Sequence, residues 1–151
     1  MEIGVVIVKG YFAAKTIGFN PIYNTISYTY NNLKTARSHD NKILNKFLNE
    51  EDITKKLESL ESLIKEIERK VNVELSPTIK KNLNDLKQAV ELLDAQLSIT
   101  NCKIRNYNNS WINIKSLNLS KNIKKLKSLN YLIDIRLKRL KGSLIVIMSL
   151  K

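Results

Sequence analysis

Apolar residues recur along most of this chain at alternating steps of four and three positions. Two such series occupy the segment from Ile53 to Leu97, and each steps by 4, 3, 4, 3, 4: Ile53, Leu57, Leu60, Ile64, Ile67 and Val71, then Ile79, Leu83, Leu86, Val90, Leu93 and Leu97. This spacing keeps one face of an α-helix turned toward a partner. Between the series, Ser76 and Pro77 are typical of an N-cap and a first helical residue. We therefore predict an antiparallel helical hairpin, with helices over 51–72 and 76–107.

Three further helices are predicted, over 2–18, 21–49 and 120–141. Asn20-Pro21 indicates a turn, and the polar residues 38–41 favour a break, with Ser38 or Asp40 as a cap. Ser120 is expected to cap the last helix, and Gly142 is expected to end it as a C′ residue. The asparagine-rich residues 106–110 predict a loop. The fold class that follows is a single all-α domain over 1–151, an antiparallel up-down four-helix bundle with an extra, brace-like helix.

The apolar bend after this loop contains Trp111, which is the chain's single tryptophan. We expect its indole to pack across the end of the bundle, where the ring N–H would find a partner. A position in a membrane headgroup layer is the alternative, because that layer also suits an amphipathic ring.

Charge is concentrated at the end of the chain. The net charge is +12, and residues 101–151 contain 12 basic residues against one acidic residue. Eight of these cations belong to the last predicted helix and lie away from its apolar seam: Lys121, Lys124, Lys125, Lys127, Arg136, Lys138, Arg139 and Lys141. Such an asymmetry indicates a polyanionic partner, either acidic lipid headgroups or nucleic acid. A merely solvated face is the alternative.

The residues that carry chemistry are few. Cys102 is the single cysteine, which excludes an internal disulfide and favours the cytoplasm. His39 is the single histidine, and no second ligand lies near it in sequence to indicate a metal site. The sequence shows no phosphate-binding glycine loop and no nucleophile–base arrangement, and no apolar run approaches the roughly 18 residues of a spanning helix. We expect neither an enzyme nor a cofactor.

Several segments together carry a resemblance to a known family. They are "LESLIKEIERKV", "LNDLKQAVELLDAQL", "NYNNSW" and "NIKKLKSLNYLIDIRLKRL", within residues 57–140. Their pattern and order resemble the N-terminal four-helix domain of mixed-lineage kinase domain-like pseudokinases, related to fungal HeLo-type domains and plant resistance-protein helical domains. The chain differs from that pattern in its very apolar start and in the polar residues near His39.

The resemblance implies a cell-death effector that permeabilises membranes. Such a domain would be released by an upstream activating protein, form homo-oligomers, and move from the cytoplasm to the plasma membrane. The eight cations would bind anionic phospholipid there, and the first helix would enter the bilayer through Ile3, Val5, Val6, Ile7, Val8, Tyr11 and Phe12.

Two alternatives stay open. The first is a soluble protein–protein interaction module, an adaptor or dimerisation bundle without membrane activity. The second is nucleic-acid binding by the last helix, which is disfavoured because Tyr131 is its single aromatic residue and no recognised binding motif is present.

Overall fold

The computed structural model describes the backbone of residues 10–70, 76–111 and 116–149, and the side chains of residues 19–146 within those ranges. Within these ranges the chain forms five α-helices: α1 Gly10–Ser38, α2 Lys42–Glu51, α3 Ile53–Lys70, α4 Pro77–Asn109 and α5 Ser120–Ser149. These ranges contain no strand. The all-α helical bundle predicted from the spacing of apolar residues is therefore confirmed.

The two regular apolar series form much of the core. Every member from Ile53 to Ile67 on α3, and every member from Ile79 to Leu97 on α4, is buried. Val71, the last member of the first series, lies outside the described residues. Ser76 accepts a hydrogen bond from the backbone N–H of Ile79 at 3.2 Å, so the predicted N-cap of α4 is also confirmed.

Helix α1 continues through Pro21, where the sequence predicted a boundary between two helices. Proline removes one backbone hydrogen bond, at a cost of roughly 3 kcal/mol in a helix interior. Phe19 and Ile22, on either side of it, are both buried in the core. Burial of these two neighbours offsets that cost, and the predicted turn at Asn20-Pro21 is wrong.

The predicted break in the polar residues 38–41 is confirmed. The chain turns at His39 and Asp40, and Asp40 has a positive φ of 52°. Asn41, rather than Ser38 or Asp40, caps α2, because its side-chain oxygen accepts the backbone N–H of Leu44 at 3.0 Å. The short helix that follows contacts α1 and α5 and is the extra helix of the bundle.

Helices α1 and α3 are joined by polar contacts in a regular register. The Tyr23 hydroxyl donates to Glu68 Oε1 at 3.1 Å, and Arg37 Nη2 donates to Thr54 Oγ1 at 3.2 Å. The partners run in opposite order along the two helices, as in antiparallel packing. The two contacts are 14 residues apart on both helices, a spacing of two heptads.

Helices α4 and α5 pack together along most of their length. Asn82 Nδ2 donates to Ser143 Oγ at 2.5 Å, and Lys103 Nζ donates to Asn122 Oδ1 at 3.2 Å, so this pair also runs in opposite directions. Helix α4 packs on α1 and α5, whereas α3 packs mainly on α1. The prediction that α3 and α4 form a closely packed hairpin is therefore wrong. The up-down order of the whole bundle stays a prediction.

Two helix ends differ from the sequence-based prediction. Helix α4 runs to Asn109, through asparagines predicted as loop, and α5 runs past Gly142 to Ser149. The bond between Asn82 and Ser143 and the packing of Leu144 on the core hold this last part of α5 against α4. Gly142 has helical backbone geometry here and is not a C′ residue.

Candidate functional site: the exposed face of helix α5

Helix α5 begins at a local cap and divides into two faces. Asn118 Oδ1 accepts hydrogen bonds from the backbone N–H of Ser120 at 2.9 Å and from its hydroxyl at 2.8 Å. Ser120 is thus the first residue of the helix and not the cap predicted from sequence. One face is directed into the core and contains these buried residues: Leu126, Asn130, Ile133 and Leu140.

The opposite face carries most of the cations predicted to bind lipid. Seven of the eight are exposed: Lys121, Lys124, Lys125, Lys127, Lys138, Arg139 and Lys141. Within the described part of the chain, none of their charged groups forms an ion pair or a hydrogen bond. Helix α5 has eight basic residues and one acidic residue, a formal charge of +7. The exposed face is therefore a cationic surface, referred to below as the α5 face.

Arg136 differs from the other seven cations. It is partly buried, and its Nη1 donates to the backbone carbonyl of Asp85 at 2.6 Å and to Gln88 Oε1 at 3.3 Å. Both acceptors lie on α4. The guanidinium therefore joins α4 to α5, which leaves it less available to an outside anion than the lysines around it.

The single acidic residue of α5 is held by another helix. The Lys56 ammonium on α3 lies 2.7 Å from Asp134 Oδ1 and donates to Asn130 Oδ1 at 2.8 Å. Asn130 Nδ2 in turn donates to Glu51 Oε1 at 3.0 Å. Asn130 is buried, and the network supplies a hydrogen-bond partner to both the oxygen and the nitrogen of its side-chain amide. Because Lys56 neutralises Asp134, the acid competes less with outside anions for the α5 cations.

Exposed apolar side chains lie among these cations, a feature that the sequence reasoning missed. They are Tyr131 (66% exposed), Ile135 (38%), Ile145 (69%) and Val146 (58%). At 100° per residue, Tyr131, Ile135 and Val146 fall within a sector of roughly 60° on the side opposite the buried face. This second apolar series, repeating on the polar face of the helix, is the sequence signal that would have revealed it.

Trp111 precedes α5 and is 91% exposed. The expectation that it packs across the end of the bundle is therefore wrong. The neighbouring residues 112–115 lie outside the described ranges. An indole in this position is open to solvent. The alternative, a position in a membrane headgroup layer, stays a prediction.

The candidate insertion residues are only partly within the described ranges. Ile3, Val5, Val6, Ile7 and Val8 lie outside them. Tyr11 and Phe12 belong to α1, and their side chains are not among those described. None of the described helices combines enough length with enough apolar character to cross a bilayer.

Among the described residues, the titratable groups on the other helices do not assemble a second site. Burial, followed by the hydrogen bond to Glu68, raises the pKa of Tyr23, and burial likewise raises the pKa of Tyr30, which also lies near Glu61. These groups join α1 to α3. The described residues contain no group of three or more His, Cys, Asp or Glu side chains that could hold a metal ion.

Comparisons of this chain with known protein families, with curated proteins and with solved structures find no match.

Proposed function

We propose that this bundle binds membranes that contain anionic phospholipid, and that the α5 face is its docking surface. The observation that carries this proposal is the set of seven exposed cations on one helix whose single acid, Asp134, is paired to Lys56. Exposed cations on a folded helix attract a negatively charged surface without any rearrangement of the core.

The expected strength is sufficient for reversible docking. Each basic residue close to an anionic leaflet contributes about 1 kcal/mol. Four or five simultaneous contacts would thus supply about 4–5 kcal/mol, which corresponds to binding in the millimolar to sub-millimolar range from the charges alone. This attraction acts within a Debye length of about 10 Å at 0.1 M salt, so it weakens as the ionic strength rises.

The resemblance to cell-death bundles extends the proposal. In that extension the docked protein is a cell-death effector that forms homo-oligomers at the plasma membrane after leaving the cytoplasm, and permeabilises the bilayer. An upstream protein would trigger the transition. Permeabilisation rests on the resemblance, whereas docking rests on the charges of the α5 face.

Vesicle co-sedimentation and dye leakage test the two parts separately. The purified chain is mixed with vesicles of phosphatidylcholine alone, or with vesicles that also contain phosphatidylserine. We expect sedimentation with the anionic vesicles only, and its reversal by high salt. Equal sedimentation, or none, with both vesicle types would refute docking. Docking without leakage would refute permeabilisation by this chain alone.

A soluble interaction module is the second candidate, and one observation favours it. Leu92 and Ile99 on α4 are 44% and 56% exposed and lie seven residues apart, so they share one face. A partner helix could cover such a face. This reading predicts a stoichiometric protein complex that loses affinity in the double variant Leu92→Ser, Ile99→Ser, and no preference for anionic lipid.

A further inference from the structure

We infer that the folded bundle lies on the membrane with α5 parallel to the surface, and that Tyr131, Ile135 and Val146 enter the headgroup layer. This inference rests on the proposed function and adds to it the orientation and the contact residues.

The arrangement of α5 supports this orientation. Tyr131, Ile135 and Val146 lie on the side opposite the core, on a strip about 22 Å long at 1.5 Å per residue. Lys127 and Lys138 lie roughly 20–40° outside the strip on one side, and Lys121 and Arg139 lie roughly 20° outside it on the other. Lys124 lies in line with the strip, before Tyr131. A strip of apolar side chains between two rows of cations is typical of helices that lie in a membrane interface.

Burial on the other side of α5 limits the depth of insertion. Leu126, Ile133 and Leu140 are fully buried against the rest of the bundle. Entry of the whole helix would remove these side chains from the core. The strip alone can therefore enter, to the depth of about 5–10 Å that interfacial helices reach. The flanking lysines can then extend their ammonium groups to the phosphates along their aliphatic stems.

The same strip favours a membrane over a nucleic acid as the partner. Nucleic-acid strands are recognised through phosphate contacts and through stacking of bases on aromatic side chains. Tyr131 is the single aromatic residue in the described part of α5, and Ile135, Ile145 and Val146 offer no surface for stacking. Transfer of exposed aliphatic side chains from water to the boundary between lipid headgroups and acyl chains is favourable instead.

Tryptophan reporters test the orientation. In a Trp111→Phe background, Tyr131→Trp places a reporter on the strip, and Tyr28→Trp places one on α1. Tyr131 and Tyr28 are exposed to a similar extent, 66% and 61%, which makes them a matched pair. Each variant is mixed with anionic vesicles that contain lipids brominated near the headgroup. Helical content measured by circular dichroism confirms that both variants fold.

We expect the reporter at position 131 to shift to shorter wavelength and to be quenched by the brominated lipid, and the reporter at position 28 to do neither. Equal quenching of both, or quenching at position 28 alone, overturns the inference while leaving docking intact. If neither protein sediments with anionic vesicles, the proposed function fails as well. A spectral shift at position 131 with single-stranded DNA, without one on vesicles, would assign the face to nucleic acid and overturn both proposals.

An affinity measurement gives a second readout. The double variant Tyr131→Ser, Ile135→Ser should bind anionic vesicles about tenfold more weakly, because it retains the cations but loses much of the apolar contact. The control variant Tyr28→Ser, Leu92→Ser removes two exposed apolar residues from other helices and should bind like the parent protein. Equal affinity of the two double variants would contradict the inference.

Discussion

Lys56 on α3 and Asp134 on α5 form an ion pair in which Nζ and Oδ1 are 2.7 Å apart. The same ammonium donates to the side-chain oxygen of Asn130, which is buried in the core. One lysine thus serves two purposes. It satisfies a buried amide, and it neutralises the single acidic residue of α5.

Removing this lysine should destabilise the fold. In Lys56→Ala the buried oxygen of Asn130 loses its donor, and an unsatisfied buried polar atom costs about 1–3 kcal/mol. The neighbouring Lys55→Ala is the matched control, since Lys55 is exposed, and it should change the free energy of unfolding by less than about 0.5 kcal/mol. Urea unfolding followed by circular dichroism measures both. Equal effects of the two substitutions would argue against the network around Asn130.

Substitution of Arg136 should lower the stability of the fold, whereas substitution of Arg139 should weaken membrane docking. Arg136→Gln removes the bond to the Asp85 carbonyl and should lower the free energy of unfolding by roughly 1 kcal/mol. Arg139→Gln removes an exposed cation and should weaken binding to anionic vesicles about threefold to fivefold, with little effect on stability. Urea unfolding and vesicle co-sedimentation of both variants measure the difference. The reverse assignment, with Arg139 needed for folding and Arg136 for binding, would contradict the structure.

Local spacing was sufficient to predict that the two apolar series on α3 and α4 are buried. A 3–4 repeat fixes which side of a helix is apolar, whatever that side packs against. The choice of partner helix is not a local property. The short connection between Lys70 and Ser76 favoured direct pairing of α3 with α4, whereas α3 packs mainly on α1. Contacts such as Tyr23–Glu68 are invisible to any pattern within a single segment.

The errors at Pro21 and Gly142 have a shared cause. Both residues are unfavourable inside helices, so sequence reasoning placed helix boundaries there. Tertiary packing overrides this preference where apolar neighbours are buried, as with Phe19 and Ile22. The cations of α5 were found from composition, whereas the partners of Arg136 could not be, because they lie 48 and 51 residues away.

Replacement of Gly142 should stabilise the protein. A Cβ added at this position meets no atom within 4 Å, and the backbone there is helical. Gly142→Ala should therefore raise the free energy of unfolding by about 0.5–1 kcal/mol, through the better helix propensity of alanine. Thermal unfolding measures this as a rise in melting temperature of about 1–4 °C for a chain of this size. A fall in melting temperature would show that α5 does not continue through this residue.

Ionisation of the Tyr23 hydroxyl should lower the free energy of unfolding in alkaline solution. Its pKa in the folded protein is raised above the ordinary value of 10.0, first by burial and next by the hydrogen bond to Glu68. The uncharged hydroxyl thus contributes stability that is fully present below about pH 10 and is lost as the pH rises above that value. Tyr23→Phe removes this titration, so it should lose less stability than the parent protein between about pH 9 and 11.

Urea unfolding across that range of pH measures the effect of Tyr23. The exposed Tyr28→Phe is the control and should keep the parent's slope. An identical slope in the parent and in Tyr23→Phe would show that the Tyr23 hydroxyl does not titrate differently on folding.

A charge-reversal comparison tests the central claim most directly. Lys124→Glu, Lys138→Glu places two negative charges on the α5 face, and Lys34→Glu, Lys80→Glu makes the same change in net charge at exposed positions on α1 and α4. Affinity for phosphatidylserine-containing vesicles is then measured for both. If α5 is the docking surface, the first variant loses at least about tenfold more affinity than the second. Equal losses would show that total charge, rather than the α5 face, governs binding, and would contradict the account.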